Sequence, residues 1–256
     1  MRLQLVIHLR RLLIRPGAIG DFIVSLPALE ALRSDYTEVW CAEQNVPLAR
    51  FADSARSIIS AGLDRLGILH ADDVIERLRS FDSIISWYGA QRPAFRDLVS
   101  QLGLPVHFLP ALPTDAARHA VDFYTDQART LGGQPVRCPR IAVPDVPRTF
   151  AAIHPFASSP AKRATFCTFE ANSKELSRTM PVHWLAGPEE SLPGATRFNN
   201  LYDLACWLRG ARIFIGNDSG ISHLAAAVGT PVNVYFTSTD PRIWSPRGHS
   251  INVIRL

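Results

Sequence analysis

Short apolar runs rich in β-branched residues alternate with amphipathic stretches along the whole chain. This alternation is typical of parallel β-sheets covered by helices on both faces, because consecutive parallel strands need a crossover between them. The sequence therefore predicts an α/β fold. Strands are expected at residues 12–15, 38–42, 83–87 and 106–109 in the first half, and at 150–154, 182–186, 213–216, 232–236 and 251–254 in the second.

Helical periodicity fills the intervals between these strands. The predicted helices are residues 25–33, 46–53, 72–80, 92–102 and 116–131, followed by 168–177, 201–209 and 219–228. Between residues 131 and 148 the periodicity stops, and four prolines and two glycines accumulate. Such a stretch is typical of a linker. We therefore predict a first domain at residues 1–134, a Pro-rich linker at 135–148 and a second domain at 149–256.

Two Rossmann-like lobes joined in this way place a cleft between the carboxyl ends of their two sheets, where open α/β sheets bind ligands. The sequence shows no internal repeat and no low-complexity segment. Motifs that follow the strands should therefore face this cleft.

Composition narrows the class of protein. With 256 residues and 47% hydrophobic content, the chain can form one large or two small packed domains. Four widely spaced cysteines suggest neither a disulfide framework nor a zinc site, which favours a cytoplasmic protein. No apolar run is long enough to span a membrane, and the N-terminal stretch is interpreted as a strand rather than a signal peptide. A net charge of +4 weakly favours anionic partners, without a nucleic-acid signature.

The first chemical motif is the turn after the first predicted strand, which contains Gly17, Gly20 and Asp21. The glycines allow a tight strand-to-helix turn and close approach to a ligand, whose anionic group the amides can bind. Asp21 can act as a general base towards an acceptor hydroxyl, since an aspartate is ordinarily ionised at neutral pH. The alternative is that Asp21 only caps its helix. The spacing is not that of a dinucleotide fingerprint.

The second motif follows the predicted strand 213–216 and reads Asn-Asp-Ser-Gly, with a histidine farther along the helix. The hydroxyl of Ser219 and the amides of Ser219 and Gly220 suit a pyrophosphate. His223 lies one helical turn after Ser219, on the same face, where it can also contact a phosphate. Structurally, Asp218 or Ser219 can instead be an N-cap, with His223 a partly buried surface residue.

Three further motifs follow strands of the second half. Ser158 and Ser159 precede Lys162 and Arg163, a set that can neutralise a diphosphate without a metal, although a solvated basic pair is the common alternative. Glu189, in a Gly-Pro-Glu-Glu turn, can hold ribose hydroxyls or serve only the turn. The loop that begins at Thr239 and contains Trp244 either lines a pocket or packs.

In this order and spacing, the five motifs resemble glycosyltransferase family 9, the ADP-heptose:lipopolysaccharide heptosyltransferase family. The resemblance rests on GAIGDFIVSLPALEALR from Gly17, HPFASSPAKR from His154, GPEE from Gly187, FIGNDSGISHLAAAVGTPV from Phe214 and TDPRIW from Thr239. It implies a GT-B fold with a central cleft, transfer with inversion and no required metal. The implied partners are a nucleotide-sugar donor, most often ADP-heptose, and a lipid-linked or soluble saccharide acceptor, with peripheral contact at the cytoplasmic face of the inner membrane.

The resemblance also implies residue roles. Asp21 resembles the catalytic base, and Ser158 and Lys162 resemble the groups that hold the donor phosphates and sugar. Glu189 resembles the ribose contact. The segment with Asp218, Ser219, Gly220 and His223 resembles the family's loop that binds the donor sugar and diphosphate.

Two departures from the family pattern keep alternatives open. The string after Lys162 reads Lys-Arg-Ala-Thr where Lys-Arg-Trp-Pro is expected, and Phe156 stands where a glycine is common. The chain is also shorter than typical members, so an acceptor-side insertion is expected to be missing. A non-catalytic nucleotide-sugar or glycan-binding module is therefore an alternative, as is a sugar-nucleotide epimerase on the same fold.

Overall fold

The computed structural model describes residues 8–68, 71–113 and 118–256. These residues contain two five-stranded sheets, in each of which neighbouring strands are parallel. The first sheet with its helices is called the first lobe, and the second sheet with its helices the second lobe. The predicted α/β class is confirmed.

The first lobe alternates strands and helices up to α4. Its strands are β1 (Arg10–Arg15), β2 (Tyr36–Cys41), β3 (Ser54–Ser57), β4 (Ser83–Ser86) and β5 (Val106–Phe108). Its helices are α1 (Ile19–Ala31), α2 (Asp72–Arg79), α3 (Pro93–Gln101) and α4 (Ala120–Thr130). The strand order β3-β2-β1-β4-β5 puts β1 at the centre of the sheet. The turn after β1 therefore opens at the middle of the sheet edge, where the order reverses and ligands bind.

The second lobe also has a five-stranded parallel sheet with helices between its strands, but in a different strand order. Its strands are β6 (Phe150–His154), β7 (Val182–Trp184), β8 (Ala211–Asn217), β9 (Val232–Phe236) and β10 (Ile251–Arg255). Its helices are α5 (Phe166–Leu176), α6 (Leu201–Arg209), α7 (Gly220–Ala227) and the single-turn α8 (Pro241–Trp244). The order is β10-β9-β8-β6-β7, with β8 central. The loop between β8 and α7 thus holds the position that the turn after β1 holds in the first lobe.

One apolar cluster passes through both lobes. It includes Phe22 and Leu29 of α1 and Tyr124 of α4, together with Leu224 of α7 and Phe236 of β9, all of them fully buried. Two smaller clusters lie on the outer faces of the two sheets, one under α2 and α3 and the other under α5. The lobes therefore share a core in addition to the chain that connects them.

The connecting chain contains no regular element. Residues 133–149 form neither helix nor strand, and this range includes the predicted linker at 135–148. Arg148 donates to the carbonyl of Gly229 at 2.6 Å, and the amide of Ile141 donates to the carbonyl of Ala227 at 3.0 Å. This segment is thus fixed against the second lobe. The predicted domain boundaries stay a prediction.

Several element predictions were wrong in detail. The helix predicted at 46–53 is a short 3-10 helix, Glu43–Leu48, because the chain must reach β3 six residues later. Strand β3 was not predicted, since its sequence Ser-Ala-Arg-Ser has no apolar run. Helix α1 begins at Ile19 and not at residue 25, because the carboxylate of Asp21 caps that end through the amide of Ala18. Of the helix predicted at 116–131, residues 116 and 117 lie outside the described residues, as do residues 1–7 of the N-terminal stretch.

Candidate active site

The turn between β1 and α1 is shaped by Gly17 and closed by Asp21. Gly17 has a φ of +121°, and a Cβ there would lie 2.9 Å from the Cβ of Asp21. The Oδ2 atom of Asp21 accepts a hydrogen bond from the amide of Ala18 at 3.2 Å. Asp21 therefore does cap its helix, as the structural alternative proposed. It is only partly buried, so its carboxylate also remains accessible to a ligand.

The loop between β8 and α7 places an ion pair below the start of the helix. Asp218 is 4% exposed, and its Oδ2 accepts from the Nζ of Lys162 at 2.9 Å and from the hydroxyl of Thr239 at 2.5 Å. Asn217 connects this loop to the loop that follows β6. Its side chain donates to the carbonyl of Pro155 and accepts from the amide of Ala164, both at 2.8 Å. The interpretation of Lys162 as a solvated cation was therefore wrong.

Ser219 occupies the N-cap position of α7, but its side chain makes no capping bond. Its hydroxyl oxygen is buried and has no hydrogen-bond partner among the described residues. An unpaired buried hydroxyl is costly, so this group is suited to a ligand or a water. The amides of Ser219 and Gly220 lie at the same helix end, where an anion is favoured.

His223 was predicted as a phosphate contact or a partly buried surface residue, and the structure buries it. It is 6% exposed. Burial lowers the pKa of His223 to about 4, although the carboxylates of Asp218 and Asp21 favour the protonated form. At neutral pH the imidazole is therefore uncharged. It can contact a ligand through a hydrogen bond, but it supplies no positive charge to a phosphate.

The other serines and the second cation of the third motif have separate positions. Ser158 is exposed on the pocket between the lobes, whereas Ser159 caps the short 3-10 helix Pro160–Lys162 through the amide of Ala161. Arg163 donates twice to the carbonyl of Ala157, at 3.0 and 2.8 Å. Its guanidinium is thus committed to the loop. Only Lys162 of the predicted basic pair reaches the β8–α7 loop.

The Gly-Pro-Glu-Glu turn is held by its second glutamate. The Oε2 atom of Glu190 binds the amide of Gly187 at 2.6 Å and the Nε2 of His154 at 3.0 Å. Burial by itself raises the pKa of Glu190, but the bonds from His154 and Gly187 outweigh it and leave the pKa below its usual range. Glu189 is exposed and faces the pocket, as a ribose contact requires. Glu190 stands in the same motif but was not predicted as a site residue.

The fifth motif contributes one contact to the site. The hydroxyl of Thr239 binds Asp218, and Asp240 caps α8 by accepting from the amide of Arg242 at 2.9 Å. Trp244 packs against the core that the lobes share. Trp244 thus packs, as one alternative predicted, and Thr239 bonds to Asp218, but neither residue lines the pocket between the lobes.

The two lobes meet where α1 and α7 begin. A Cβ on Gly220 would lie 2.6 Å from the Cβ of Ile19 and 2.9 Å from the amide nitrogen of Gly20. A Cβ on Gly20 would lie 3.5 Å from the His223 ring and 3.6 Å from the Cα of Gly220. Both helix N-termini, with their partial positive charge, therefore point to one place.

Beside this contact lies a pocket of about 500 Å³ formed by both lobes. Of the predicted residues, it is lined by Gly20, Ser158, Glu189, Ser219 and Gly220. The lining does not include Asp21 and Asp218, which are next in sequence to Gly20 and Ser219, nor Lys162, which bonds to Asp218, nor His223, which faces Gly20. Ser159 and Gly17 serve their turns. Leu185, Phe198, Leu201, Leu204 and Ile221 supply an apolar wall. Apolar walls with a few convergent polar groups are typical of small-molecule sites.

A larger cavity, of about 870 Å³, lies elsewhere along α4. Its lining is almost entirely charged, and it contains none of the predicted residues. We assign the site to the smaller pocket, because the motifs converge there.

Two further findings concern metals and membranes. In residues 8–68, 71–113 and 118–256, no three His, Cys, Asp or Glu side chains group as metal ligands would. No helix in these ranges is long and apolar enough to cross a membrane.

Comparison with solved structures shows the fold. A glycosyl transferase family 9 protein from Veillonella parvula superposes with a TM-score of 0.76 at 16% identity, covering 97% of this chain and 86% of that one. ADP-heptose lipopolysaccharide heptosyltransferase II from E. coli gives 0.72 at 20% identity, with coverages of 97% and 91%. The E. coli heptosyltransferase WaaC with ADP gives 0.69 at 16%, with 96% and 93%. These likenesses confirm a GT-B fold with two Rossmann-like lobes.

Comparison with curated protein sequences gave no match. The sequence model of glycosyltransferase family 9 (heptosyltransferase), in contrast, matches residues 115–256, which is more than half of the chain. The matched part contains the ion pair between Lys162 and Asp218 and the loop that leads into α7. The chain belongs to glycosyltransferase family 9.

Proposed function

We propose that this protein transfers a heptose from ADP-heptose to a lipopolysaccharide-type saccharide acceptor, with inversion at the anomeric carbon and without a metal. The observation that carries the proposal is the meeting of the two helix N-termini at Gly20 and Gly220. This contact brings the carboxylate-bearing turn of the first lobe to the anion-binding loop of the second.

Donor binding is assigned to the second lobe. The diphosphate would lie against the amides of Ser219 and Gly220, with Lys162 beside them. Lys162 has three N–H donors and gives one to Asp218, so two remain for phosphate oxygens. Glu189 would accept from the ribose hydroxyls, and the base would lie against the apolar wall that includes Leu185 and Ile221.

The reaction is assigned to Asp21. The acceptor hydroxyl attacks the anomeric carbon from the face opposite the diphosphate, while the carboxylate of Asp21 takes its proton. The bond from the anomeric carbon to the diphosphate oxygen breaks, and that oxygen keeps the electron pair. Lys162 and the two helix N-termini stabilise the negative charge that develops on this oxygen. In other enzymes a metal ion stabilises the leaving group in this way.

The acceptor side and the location of the protein follow from this assignment. A lipid-linked acceptor would bring the protein into peripheral contact with the cytoplasmic face of the inner membrane, whereas a soluble saccharide would not. Uridine and guanosine diphosphate sugars are the competing donors. The same pocket would accept them with a changed base contact.

The experiment measures ADP release and heptose transfer from ADP-heptose, with heptose-deficient lipopolysaccharide as acceptor and UDP-glucose as competing donor. Asp21→Asn should lower kcat by about 100-fold or more with little change in the donor KM, since a general base contributes on the order of 10²–10⁴ in rate. Lys162→Ala should lower kcat/KM for the donor by roughly 10- to 100-fold.

Matched controls exist for both variants. Asp64→Asn changes an exposed carboxylate, and Lys174→Ala changes the other lysine of the sequence, which is exposed on α5. Both should retain wild-type rates. Activity with UDP-glucose alone would refute the assigned donor, and wild-type turnover by Asp21→Asn would refute the assigned base. Donor binding without any release of ADP would favour the non-catalytic binding module.

A further inference from the structure

Arg15, the last residue of β1, is a buried arginine that the mechanism above does not use. It is 2% exposed. Its guanidinium donates to four groups: the Ser25 hydroxyl at 3.1 Å, the Pro16 carbonyl at 2.9 Å, the Asp21 carbonyl at 3.0 Å and the Tyr124 hydroxyl at 2.8 Å. Three of these acceptors belong to the turn and helix that carry Asp21, and they lie on both sides of it.

The charge of Arg15 is not neutralised by an ion pair. All four acceptors are uncharged, and no carboxylate lies within salt-bridge distance among the residues that the structure describes. A buried cation without an anion is costly, and the positive end of α1 adds to the cost here. An apolar side chain in its place would leave the carbonyls of Pro16 and Asp21 without the donor that Arg15 supplies.

Tyr124 connects this arginine to α4. The Cζ of Arg15 lies 4.6 Å from the centre of the Tyr124 ring, a cation–π contact. The Tyr124 hydroxyl accepts from Arg15 and donates to the carbonyl of Ala111 at 2.7 Å. Burial raises the pKa of Tyr124, so the phenol stays protonated and can make both bonds. The guanidinium is thus fixed from the side opposite the turn.

We propose that Arg15 is the positioning residue for Asp21. It fixes the backbone of the turn at Pro16 and at Asp21 itself, and thereby the direction in which the side chain of Asp21, the acidic residue of the first turn of α1, leaves the helix. The inference rests on the proposed function, because it gives Arg15 its role through the base Asp21. Arg15 itself touches neither donor nor acceptor.

The test compares three variants in the transfer assay and in the slower hydrolysis of ADP-heptose by water. Arg15→Met should lower kcat by about 100-fold with a donor KM within about twofold of wild type, since small displacements of a reacting group cost rates of this order. Arg15→Lys keeps the positive charge but loses the forked arrangement of donors. Its kcat should therefore be about tenfold higher than that of Arg15→Met and still below that of wild type. Tyr124→Phe removes one of the four Arg15 hydrogen bonds, together with the bond to Ala111, and should lower kcat by roughly three- to tenfold.

Arg11→Met is the matched control. Arg11 lies on the same strand, is partly buried, and donates to the carbonyl of Leu32 at the other end of α1 at 2.8 Å. The Arg11→Met variant should have a lower free energy of unfolding than wild type and the same kcat. If Arg15→Met does not fold, the kcat values of Arg15→Lys and Tyr124→Phe at unchanged donor KM decide the question.

Failure of the inference is separable from failure of the proposed function. A folded Arg15→Met with wild-type kcat, beside an inactive Asp21→Asn, would overturn the role of Arg15 alone. Equal losses in Arg15→Met and Arg15→Lys with a raised donor KM would show a structural role and overturn it too. A wild type that releases no ADP by either route would overturn both.

Discussion

His223 is a buried histidine that faces titratable groups from both lobes. Asp218 and Lys162 lie on its own lobe, while Asp21 and His119 face it from the first lobe. The two carboxylates favour the imidazolium, but burial and the positive charge of Lys162 oppose it, and burial dominates. At the residue scale, the folded protein therefore contains a neutral imidazole where the unfolded chain has a titrating one.

This difference makes stability depend on pH. The ordinary pKa of a histidine is about 6.5, whereas the pKa of His223 in the folded protein is about 4. Between these two pH values the unfolded chain binds a proton that the folded protein does not. The free energy of unfolding should therefore fall as the pH is lowered through this window and be constant above it. From pH 7.5 to pH 5 the contribution of His223 is about 2 kcal/mol.

Urea denaturation at pH 7.5 and pH 5 measures the effect. His223→Gln should remove about 2 kcal/mol of the decrease seen in wild type. His249→Gln, at an exposed histidine, should leave the decrease unchanged. An identical pH dependence in wild type and His223→Gln would show that the imidazole is not held neutral.

At the scale of elements, helices α1 and α7 meet end to end and depend on glycine to do so. A side chain at Gly220 would overlap with the backbone of Gly20, whereas one at Gly20 would make ordinary contacts. The contact therefore tolerates a methyl group on one helix and not on the other.

Gly220→Ala should lower the free energy of unfolding by about 1–3 kcal/mol, because a methyl group is forced into a packed contact. Gly20→Ala is the matched comparison, since it gains helix propensity of roughly 0.5–1 kcal/mol without a clash. Thermal unfolding of the two variants measures the difference. Equal melting temperatures would mean that the helix ends can separate at no cost.

Elements with strong periodicity were predictable from sequence. The bounds of β6, β9 and α6 match the prediction residue for residue. β3 could not be predicted, because its pairing with β2 supplies the strand and its sequence does not. The late start predicted for α1 has a different cause: Gly20 disfavours a helix locally, but the cap that Asp21 provides at Ala18 starts the helix there nonetheless.

At the scale of the whole molecule, α4 of the first lobe is tied to the segment before β10 of the second. Arg247 binds both carboxylate oxygens of Asp122, at 2.6 and 2.5 Å. His119, which caps α4 by accepting from the amide of Val121 at 3.1 Å, contacts the carbonyl of Ser245 at 2.9 Å through its other ring nitrogen. This second nitrogen therefore carries the proton, and His119 is neutral. Burial, and then Arg247, lower its pKa.

Arg247→Ala should lower the free energy of unfolding by about 1 kcal/mol, a modest value because Asp122 is nearly half exposed. Amide hydrogen exchange in α4 should become faster at the same time. Arg242→Ala breaks a local, solvent-exposed pair with Asp240 and should change neither quantity. Unchanged exchange in α4 of the Arg247 variant would refute the tie between the lobes.

The site was predictable only one loop at a time. Each motif follows a strand, so the sequence indicated that Asp21, Lys162 and Asp218 would lie at sheet edges. Lys162 and Asp218 meet because β6 and β8 are neighbours in the second sheet, whereas the approach of Asp21 depends on how the two sheets face each other. No local sequence pattern contains either piece of information. The bond from Lys162 to Asp218 joins residues 56 positions apart. Glu190 was not singled out because its partner His154 lies 36 positions away. Thr239 was noted only as the start of a loop, since its partner Asp218 lies 21 positions away.

The main apolar cluster extends from α1 and α4 into α7 and the second sheet. Unfolding of either lobe would therefore expose apolar side chains of the other. Unfolding should therefore be one all-or-none event, although proteins of this size with two sheets often lose their halves separately. A newly synthesised first half must also wait for the second before Phe22 and Leu29 are covered. Until then the exposed apolar surface of the first half favours aggregation, and we expect chaperones to bind it.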